Sequence, residues 1–357
     1  MNSAIGQYIF PAEWEPHEAT WLSWPHNSSD WPGKFPPIPW VFGEIVRKIV
    51  QGERIHLIVE SKNHELKARR ILERIGVDLS RVTFFRIPTD RGWMRDSGPM
   101  FVRSTKNDKV SILNHRFNGW AKYSNWHEDD KTPARISNLT GIPQVELLHK
   151  NCGVVLEGGS VDVNGSGSLL TTEECLLDQK VQARNPRFAR EDYESVFHKY
   201  LGISNVIWLG SGIAGDDTHG HVDDLCRFVN RTTVVLCSET NPADPNYKPL
   251  NENRERLQGM RLENGSNISV VGLPMPSPVF LDGRRLPASY ANFYFSNAAV
   301  LVPTFNDLND ARALGILSEL IHDRPVVGIH SVDLAWGLGT LHCLTQQQPL
   351  LTRGEKR

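Results

Sequence analysis

The sequence predicts an α/β fold in which the 357 residues (1–357) form one closed domain of repeated β-rich units. Near the N-terminus, apolar runs typical of strands alternate with amphipathic helical patterns. Farther along, five segments share one plan, in which a short polar signature is followed by a β-rich apolar run. Recurrence at near-regular spacing is typical of units that are arranged radially.

The first predicted elements follow in the order helix, strand, helix, strand. Residues 39–52 form a helix that follows a Pro- and Trp-rich loop and ends at a glycine. Residues 54–60 and 81–88 are predicted strands, because they are apolar and rich in β-branched or aromatic residues. The amphipathic helix between them, over 61–77, begins at Ser61, a residue type that caps helix N-termini.

Each of the five signatures contains one chemically capable residue beside an apolar run. The segments are MRDSGPMFV, LEGGSVDV, HGHVDDLCRFV, YANFYFSNAAVLVP and LHCLTQQQP. Asp96, Glu157, His221, Asn292 and Cys343 mark them, at spacings of 61, 64, 71 and 51 residues. If the units are radial, we expect these five residues to meet around one axis.

Composition argues against several classes of partner and compartment. Lys and Arg total 39 against 41 Asp and Glu, and a net charge of −2 gives no reason to expect nucleic acid or a membrane as partner. The sequence contains no transmembrane segment, and the N-terminal residues lack the pattern of a secretory leader. Five cysteines without a CxxC pair predict free thiols in a reducing cytoplasm, with neither a disulfide framework nor a zinc ribbon.

The densest polar stretch is GDDTHGHVDD, over 215–224. His219, His221 and Asp223 alternate, so on a strand they would face one side. Imidazoles and a carboxylate in this pattern suit a zinc or iron site. They equally suit a general acid and base, His221, beside a carboxylate neighbour. A polar turn with a capping aspartate is a third interpretation.

Cys343 lies within GLGTLHCLTQQQP, which we interpret as a terminal strand entered through a glycine-rich turn. A buried packing role and a nucleophilic role compete here, since free cysteines are usually buried. On a strand, His342 would point to the opposite side and would not serve as the base. Acids around a cysteine raise the thiol pKa, so Asp96, Glu157 and Asp223 make sense together if the substrate is a cation such as guanidinium.

Seven segments together resemble the agmatine deiminase family, the bacterial peptidylarginine-deiminase type within the guanidine-modifying pentein superfamily. The resemblance extends over essentially the whole chain. It implies a five-bladed α/β propeller (the pentein fold), a guanidinium small-molecule substrate, no cofactor and no metal, and it suggests a homodimer. The segments are PAEWEPHEATWLSWP, WMRDSGPMFV, FNGWAKYSNW, EGGSVDVNGSGSLLTTEECLL, DDTHGHVDDLCRFV, PASYANFYFSNAAVLVPTF and LHCLTQQQP.

The resemblance assigns catalytic roles residue by residue. It implies that Cys343 is the nucleophile and that His221 is the general acid and base. It implies that Asp96 and Asp223 hold the guanidinium nitrogens, with Glu157 supporting the same site. The implied reaction is hydrolytic deimination through a covalent thiouronium, which would convert agmatine to N-carbamoylputrescine and ammonia.

Four further residues are assigned to substrate binding. Trp93 and Trp120 match tryptophans that resemble walls for the aliphatic stem of the substrate. Asp217 matches an acid expected near the distal amine, and Asn292 belongs to the same group. The sequence departs from some relatives at His219 and in AKYSNW, both near the expected substrate tail.

Three alternatives stay open from the sequence. The first is a deiminase of free or peptidyl arginine, for which Arg95 and Arg116 are candidate partners of the substrate carboxylate. The second is a metal-dependent hydrolase that uses the His219, His221 and Asp223 pattern. The third is a guanidine or polyamine binder without catalysis, which would need neither a cysteine nor a histidine.

Overall fold

The computed structural model describes residues 7–350, in which five mixed sheets of three or four strands are connected through helices, with two additional short hairpins. This confirms the predicted α/β class. Residues 1–6 of the N-terminal segment considered for a leader lie outside the described residues. None of the helices within 7–350 combines the length and apolar character needed to cross a membrane.

The sheets are numbered here in chain order. Sheet 1 contains His17–Ser23, Arg54–Val59, Val82–Arg86 and Thr345–Pro349, and sheet 2 contains Tyr8–Ile9, Met100–Ser104, Val110–Asn114 and Gln144–Glu146. Sheet 3 contains Asp162–Val163, Ser168–Thr172 and Asn205–Leu209, and sheet 4 contains Cys226–Phe228, Thr233–Ser238 and Ser269–Pro274. Sheet 5 contains Tyr294–Phe295, Val300–Thr304 and Val326–His330. The hairpins pair Leu148–His149 with Cys152–Gly153 and Phe280–Leu281 with Arg284–Arg285.

One pairing pattern recurs in all five sheets. A first strand pairs antiparallel with a second, and the second pairs parallel with a third. A parallel pair needs a crossover connection, which a helix usually supplies. The five crossover helices are Ile38–Ile49, Thr132–Thr140, Arg190–Leu201, Tyr247–Leu257 and Asn309–Leu320.

The remaining helices within 7–350 are shorter or lie outside these crossovers. They are the α-helices Lys62–Arg74, Met94–Ser97, Glu173–Leu177, Val332–Ala335 and Leu341–Leu344, and the 3₁₀ turns Leu79–Arg81, Asp129–Lys131, Gly158–Ser160 and Val222–Asp224. Several of the shortest ones carry the signature residues, so the site is built on tight turns at strand entrances.

The four N-terminal elements are confirmed with small changes at their ends. The helix predicted over 39–52 spans Ile38–Ile49, and the strand predicted over 54–60 spans Arg54–Val59. The second helix spans Lys62–Arg74, and Ser61 caps it by accepting a hydrogen bond from the backbone of His64. The strand predicted over 81–88 is the shorter Val82–Arg86.

Each of the five signature residues lies shortly before a strand that begins the shared pattern in its sheet. Asp96 precedes Met100–Ser104, Glu157 precedes Asp162–Val163, His221 precedes Cys226–Phe228, Asn292 precedes Tyr294–Phe295, and Cys343 precedes Thr345–Pro349. The last of these strands pairs with His17–Ser23, so the two ends of the described chain share sheet 1. The repeated plan therefore delivers all five polar residues to equivalent positions.

Candidate active site

The signature residues converge on one cleft, which encloses about 700 Å³ including its open mouth. Trp93, Asp96, Trp120, Asp217 and Cys343 are among the residues that line it. Buried partners of these side chains lie directly behind the cleft wall. The convergence agrees with the expectation that residues distant in sequence meet at one place.

Cys343 lies in a short helix and not on the terminal strand, so the sequence prediction of its position was wrong. The helix spans Leu341–Leu344 and the strand begins at Thr345. The preceding turn is tight, because Leu338 has a φ of 70° and a Cβ on Gly339 would lie 3.2 Å from Cys343 Sγ. This turn, which the sequence did predict, brings the cysteine into the cleft wall.

The Cys343 sulfur is surrounded by one amide and several acids. Asn292 Nδ2 lies 3.1 Å from Sγ, and Asp223 Oδ2 lies 3.8 Å from it. Burial, followed by the charges of Asp223, Asp224 and Asp96, raises the pKa of the Cys343 thiol well above its ordinary value. These acids disfavour a negative charge on the sulfur, and a cation bound among them would favour its ionisation.

His221 lies between carboxylates without a direct hydrogen bond from its ring within the described residues. Its Nδ1 is 3.8 Å from Asp96 Oδ1, and its Nε2 is 3.7 Å from Glu157 Oε2. Burial lowers the pKa of His221, but Asp96, the Cys175 contact and Glu157 outweigh it and raise that pKa well above the ordinary value. An imidazolium held in this way can deliver a proton to a leaving group.

The alternation predicted for His219, His221 and Asp223 on a strand is wrong. His219 has a φ of 63°, and Asp223 belongs to the 3₁₀ turn Val222–Asp224. The His219 ring therefore turns away, and its Nε2 lies 3.0 Å from Asp178 Oδ2. Because His219 turns away while His221 and Asp223 stay 3.9 Å apart, the structure does not support a metal site made of all three residues.

Two other sets of side chains have the spacing of metal ligands in the described part of the chain. In each set the candidate ligand atoms lie within 4.8 Å of one another. The sets are Glu157, Cys175 and His221, and Asp223, Asp224 and Cys343. Both sets consist of buried groups around Cys343 and His221. Their close spacing is explained by the packing of this site as well as by an ion site. Cys175 thus lies beside His221, the predicted acid and base.

Asp96 is held at the cleft wall by two donors. Trp120 Nε1 donates to Asp96 Oδ2 over 2.8 Å, and the backbone N–H of Gly159 donates to Oδ1 over 3.0 Å. A Cβ on Gly159 would lie 2.5 Å from His221 Nδ1, so this position of the EGG motif needs glycine for close approach. Burial, with Asp223 and Glu157 nearby, raises the pKa of Asp96. A cation in the cleft would favour the ionised form of Asp96.

Glu157 and Asp223 are fixed by partners that sequence reasoning missed. Arg184 Nε donates to Glu157 Oε1 over 3.0 Å. Burial opposes ionisation of Glu157, but the Arg184 charge and His221 lower its pKa to about 2. His342 Nδ1 lies 2.6 Å from Asp223 Oδ2, so His342 supports an acid of the site instead of pointing away from it.

A buried ionic network continues from His342 to the N-terminal segment. His342 Nε2 lies 2.7 Å from Glu13 Oε2, and Glu13 also binds Arg95 and Arg227, each at 3.0 Å. No sequence signal links Glu13 to this site, because its position depends on the packing of the first segment against the last. Arg95, a candidate for binding a substrate carboxylate, is used in this network.

The mouth of the cleft carries more positive than negative side chains. Asp217 Oδ1 accepts from Lys122 and Arg284, each over 2.7 Å, and Oδ2 accepts from the Tyr123 hydroxyl over 2.5 Å. Arg91 also lines the cleft and pairs with Asp30. Asp217 is thus at the predicted place, but its carboxylate is already shared by two cations.

The other predicted binding residues occupy different positions. Trp93 and Trp120 line the cleft, as the wall role requires. Asn292 is buried beside Cys343 and makes hydrogen bonds to the protein with both ends of its amide. Arg116 pairs with Asp130 at the surface and does not line the cleft.

The fold and the site together define an α/β protein with a buried cysteine, histidine and carboxylate centre. Residues 9–349 match the family model described as Porphyromonas-type peptidyl-arginine deiminase. The chain belongs to this family. Its repeated sheets and its five signature residues fall within the matched range.

Known relatives cover the chain almost from end to end. Agmatine deiminase of Ectopseudomonas mendocina is 33% identical over 365 residues, which cover 96% of this chain and 95% of that protein. The structure of Enterococcus faecalis agmatine deiminase is similar with a TM-score of 0.87 at 29% identity, covering 97% of each chain. A cysteine-to-serine variant of C. jejuni agmatine deiminase with substrate bound gives a TM-score of 0.85 at 28% identity, again covering 97% of each chain.

Proposed function

We propose that this chain is a cysteine-dependent hydrolase that deiminates a guanidinium substrate, with agmatine as the substrate and N-carbamoylputrescine and ammonia as products. The observation that carries the proposal is the convergence of Cys343, His221 and three buried carboxylates on one cleft. Carboxylates complement a planar cation whose central carbon the sulfur can attack. The relatives named agmatine deiminase support agmatine as the substrate.

In the first half of the reaction, Asp96 and Asp223 hold the guanidinium nitrogens, and the bound charge favours the Cys343 thiolate. The Cys343 thiol releases its proton to solvent water as it ionises, and the thiolate attacks the central carbon to form a tetrahedral adduct. His221 gives its proton to one nitrogen, the carbon–nitrogen bond breaks, and ammonia leaves. A cationic thiouronium remains on Cys343, still balanced by the acids.

In the second half, His221 is neutral and accepts a proton from water, whose oxygen attacks the thiouronium carbon. The carbon–sulfur bond then breaks as the hydroxyl proton passes to the departing sulfur, which releases the urea product and restores the Cys343 thiol. The acids fix the approach geometry in both halves, so they contribute through orientation as well as charge. Trp93 and Trp120 flank the aliphatic stem.

We also propose that the chain is a single catalytic domain in which the five sheets are the blades of a five-bladed α/β propeller around the cleft. The recurring antiparallel and parallel pairing supports this arrangement. The position of one signature residue before a pattern-starting strand of each sheet supports it further. A propeller would explain why one central site draws on five separated segments.

A second candidate substrate is a guanidine that bears a carboxylate, such as free or peptidyl arginine. It is favoured by the mouth of the cleft, where Arg91, Lys122 and Arg284 stand against Asp30 and Asp217. Excess positive charge attracts an anion and repels the distal amine of agmatine. The guanidinium chemistry is the same for both substrates.

The deciding experiment measures kcat/KM on agmatine, arginine and a peptide with C-terminal arginine side by side. We expect ammonia release from agmatine and its loss in Cys343→Ala. If kcat/KM is higher on arginine or on the arginine peptide, agmatine is not the substrate, but the deiminase reaction still holds. Full activity of Cys343→Ala would overturn the covalent mechanism itself.

A further inference from the structure

Asn292 makes a closely specified set of contacts beside the proposed nucleophile. Its side chain is fully buried; the amide nitrogen has two partners, and the amide oxygen has three, which include the Cys343 backbone N–H at 3.5 Å. The oxygen lies 2.7 Å from the Thr340 hydroxyl and accepts from the His342 backbone N–H over 3.0 Å. The nitrogen donates to Asp224 Oδ1 over 2.9 Å and to Cys343 Sγ over 3.1 Å.

These partners fix which end of the amide faces the sulfur. A backbone N–H can only donate, so the atom facing His342 N is the amide oxygen. The other end then carries two protons, and Asp224 and Cys343 are the two acceptors within reach. A flipped amide would place its oxygen against the Asp224 carboxylate. That arrangement is disfavoured because both groups are hydrogen-bond acceptors. The N–H directed at Cys343 is therefore determined by the surrounding chain.

The sulfur needs this donor because its other neighbours oppose a negative charge. Asp223, Asp224 and Asp96 are the acids that raise the pKa of the Cys343 thiol, and His221 Nδ1 lies 3.8 Å from Asp96 and 3.9 Å from Asp223. The Asn292 amide acts against them, since its hydrogen bond favours the ionised sulfur. Hydrogen bonds to an ionised group are stronger than those between neutral groups.

We propose that Asn292 stabilises the thiolate of Cys343 through its amide N–H, and that Asp224 and the His342 backbone hold the amide in that orientation. Asn292 is then a catalytic residue that contacts the reacting sulfur, in place of the substrate-binding role expected from the sequence. The inference rests on the proposed function only in taking Cys343 as the nucleophile. It holds for any guanidinium substrate.

The test is the rate of Cys343 alkylation by iodoacetamide without substrate, measured from pH 7 to pH 10 in a Cys152→Ser background. That background removes the exposed cysteine. Losing a charge-assisted bond should raise the alkylation pKa by about 1 to 2 units. The less stabilised thiolate is also more nucleophilic, so we expect alkylation of Asn292→Ala at pH 8 to be about threefold to tenfold slower.

Three controls keep the test decisive. Thr340→Val removes a contact to the amide oxygen but leaves the N–H on the sulfur, so its alkylation should match the background protein. The cavity that Asn292→Ala leaves beside the sulfur would admit the reagent and make alkylation faster. This effect is opposite to the slower alkylation that the proposal predicts. If the melting temperature shows that Asn292→Ala is not folded, Asn292→Ser provides the same measurement with a smaller cavity.

Equal or faster alkylation of the folded Asn292 variants across the pH range would overturn the proposal. The assay uses no substrate, so this result is separate from a failure of the deiminase assignment, which the Cys343→Ala activity assay detects. The corresponding kinetic readout is kcat against pH. A loss of thiolate stabilisation lowers kcat more than it raises KM, whereas a lost substrate contact would chiefly raise KM.

Discussion

At the scale of single residues, the site is a group of buried acids gathered around His221 and Cys343. Asp96 and Asp223 are both buried and both lie near His221 Nδ1, at 3.8 and 3.9 Å. Asp223 is further engaged by His342. A guanidinium placed between the two acids would balance their charge and present its carbon to Cys343.

Removing either acid tests this charge balance. We expect Asp96→Asn and Asp223→Asn to lower kcat/KM by about tenfold to a hundredfold, because one buried charge-assisted bond is worth about 1.5–3 kcal/mol. Misalignment of the reacting carbon should add to the loss. Asp78→Asn, a surface change beside the 3₁₀ turn Leu79–Arg81, is the matched control. A decrease of less than tenfold would mean that these acids do not hold the substrate.

The sequence predicted the residues that take part in the reaction better than the residues that hold them in position. Cys343, His221 and Asp96 were found because each belongs to a signature with recognisable chemistry. Arg184 and Glu13 were missed because each meets the site through folding alone, and nothing in the flanking residues indicates it. Local geometry also failed at His219 and Cys343, where tight turns replaced the strands that alternation and apolar runs favoured.

At the scale of elements, the N-terminal segment before His17–Ser23 is bound to the site through Glu13. Burial opposes ionisation of Glu13, but His342, Arg227 and Arg95 lower its pKa well below the ordinary value. A depressed folded-state pKa gives stability that is present above the unfolded pKa, about 4.5, and lost as pH falls through the folded value. Glu13 therefore stabilises the fold at neutral pH.

Glu13→Gln should reduce the free energy of unfolding at pH 7 by about 3 kcal/mol or more, as expected when a buried ionic network loses one partner. Urea unfolding at pH 7 and at pH 3.5 measures the effect. The difference between wild type and variant should shrink at the lower pH, because Glu13 of the unfolded wild type binds a proton below about pH 4.5, before Glu13 of the folded protein does. An equal difference at both values would show that the Glu13 charge is not the source.

The loops at the cleft mouth determine how the distal end of the substrate is treated. Asp217→Asn removes a carboxylate and releases Lys122 and Arg284, so KM for agmatine should rise and the preference for agmatine over arginine should narrow. Lys122→Met should change both quantities in the opposite direction. Each effect should be about 1 kcal/mol, since water reaches these groups. If the ratio of kcat/KM on agmatine to kcat/KM on arginine is unchanged in both variants, Asp217 does not contribute to substrate selection.

At the scale of the whole molecule, the recurring units explain why the site could be recognised from spacing. The five signature residues occupy equivalent positions before the strands of five sheets that share one pairing pattern. Spacing alone predicted their convergence, and the resemblance to a family gave their roles. The cross-connections between units, such as the pairing of Thr345–Pro349 with His17–Ser23, join segments that are far apart in the sequence and leave no local sequence pattern.

In the proposed reaction, the positive charge of the guanidinium group activates its central carbon for attack. We expect dialysis against EDTA to leave kcat unchanged, because no step needs a Lewis acid and His219 turns away from His221. The measurement is ammonia release before and after dialysis, with zinc or manganese added back. Loss of activity that the metal restores would favour a metal-dependent hydrolysis instead.

The central claim is that Cys343 becomes covalently attached to the substrate carbon, and mass spectrometry of acid-quenched enzyme tests it most directly. We predict an adduct with the mass of agmatine less ammonia on the peptide that carries Cys343 in the wild type, and slower formation of it in His221→Gln, because His221 protonates the nitrogen that leaves as the adduct forms. The adduct should be absent from Cys343→Ala. Steady turnover with no adduct on Cys343 in either enzyme, together with activity in Cys343→Ala, would contradict the account.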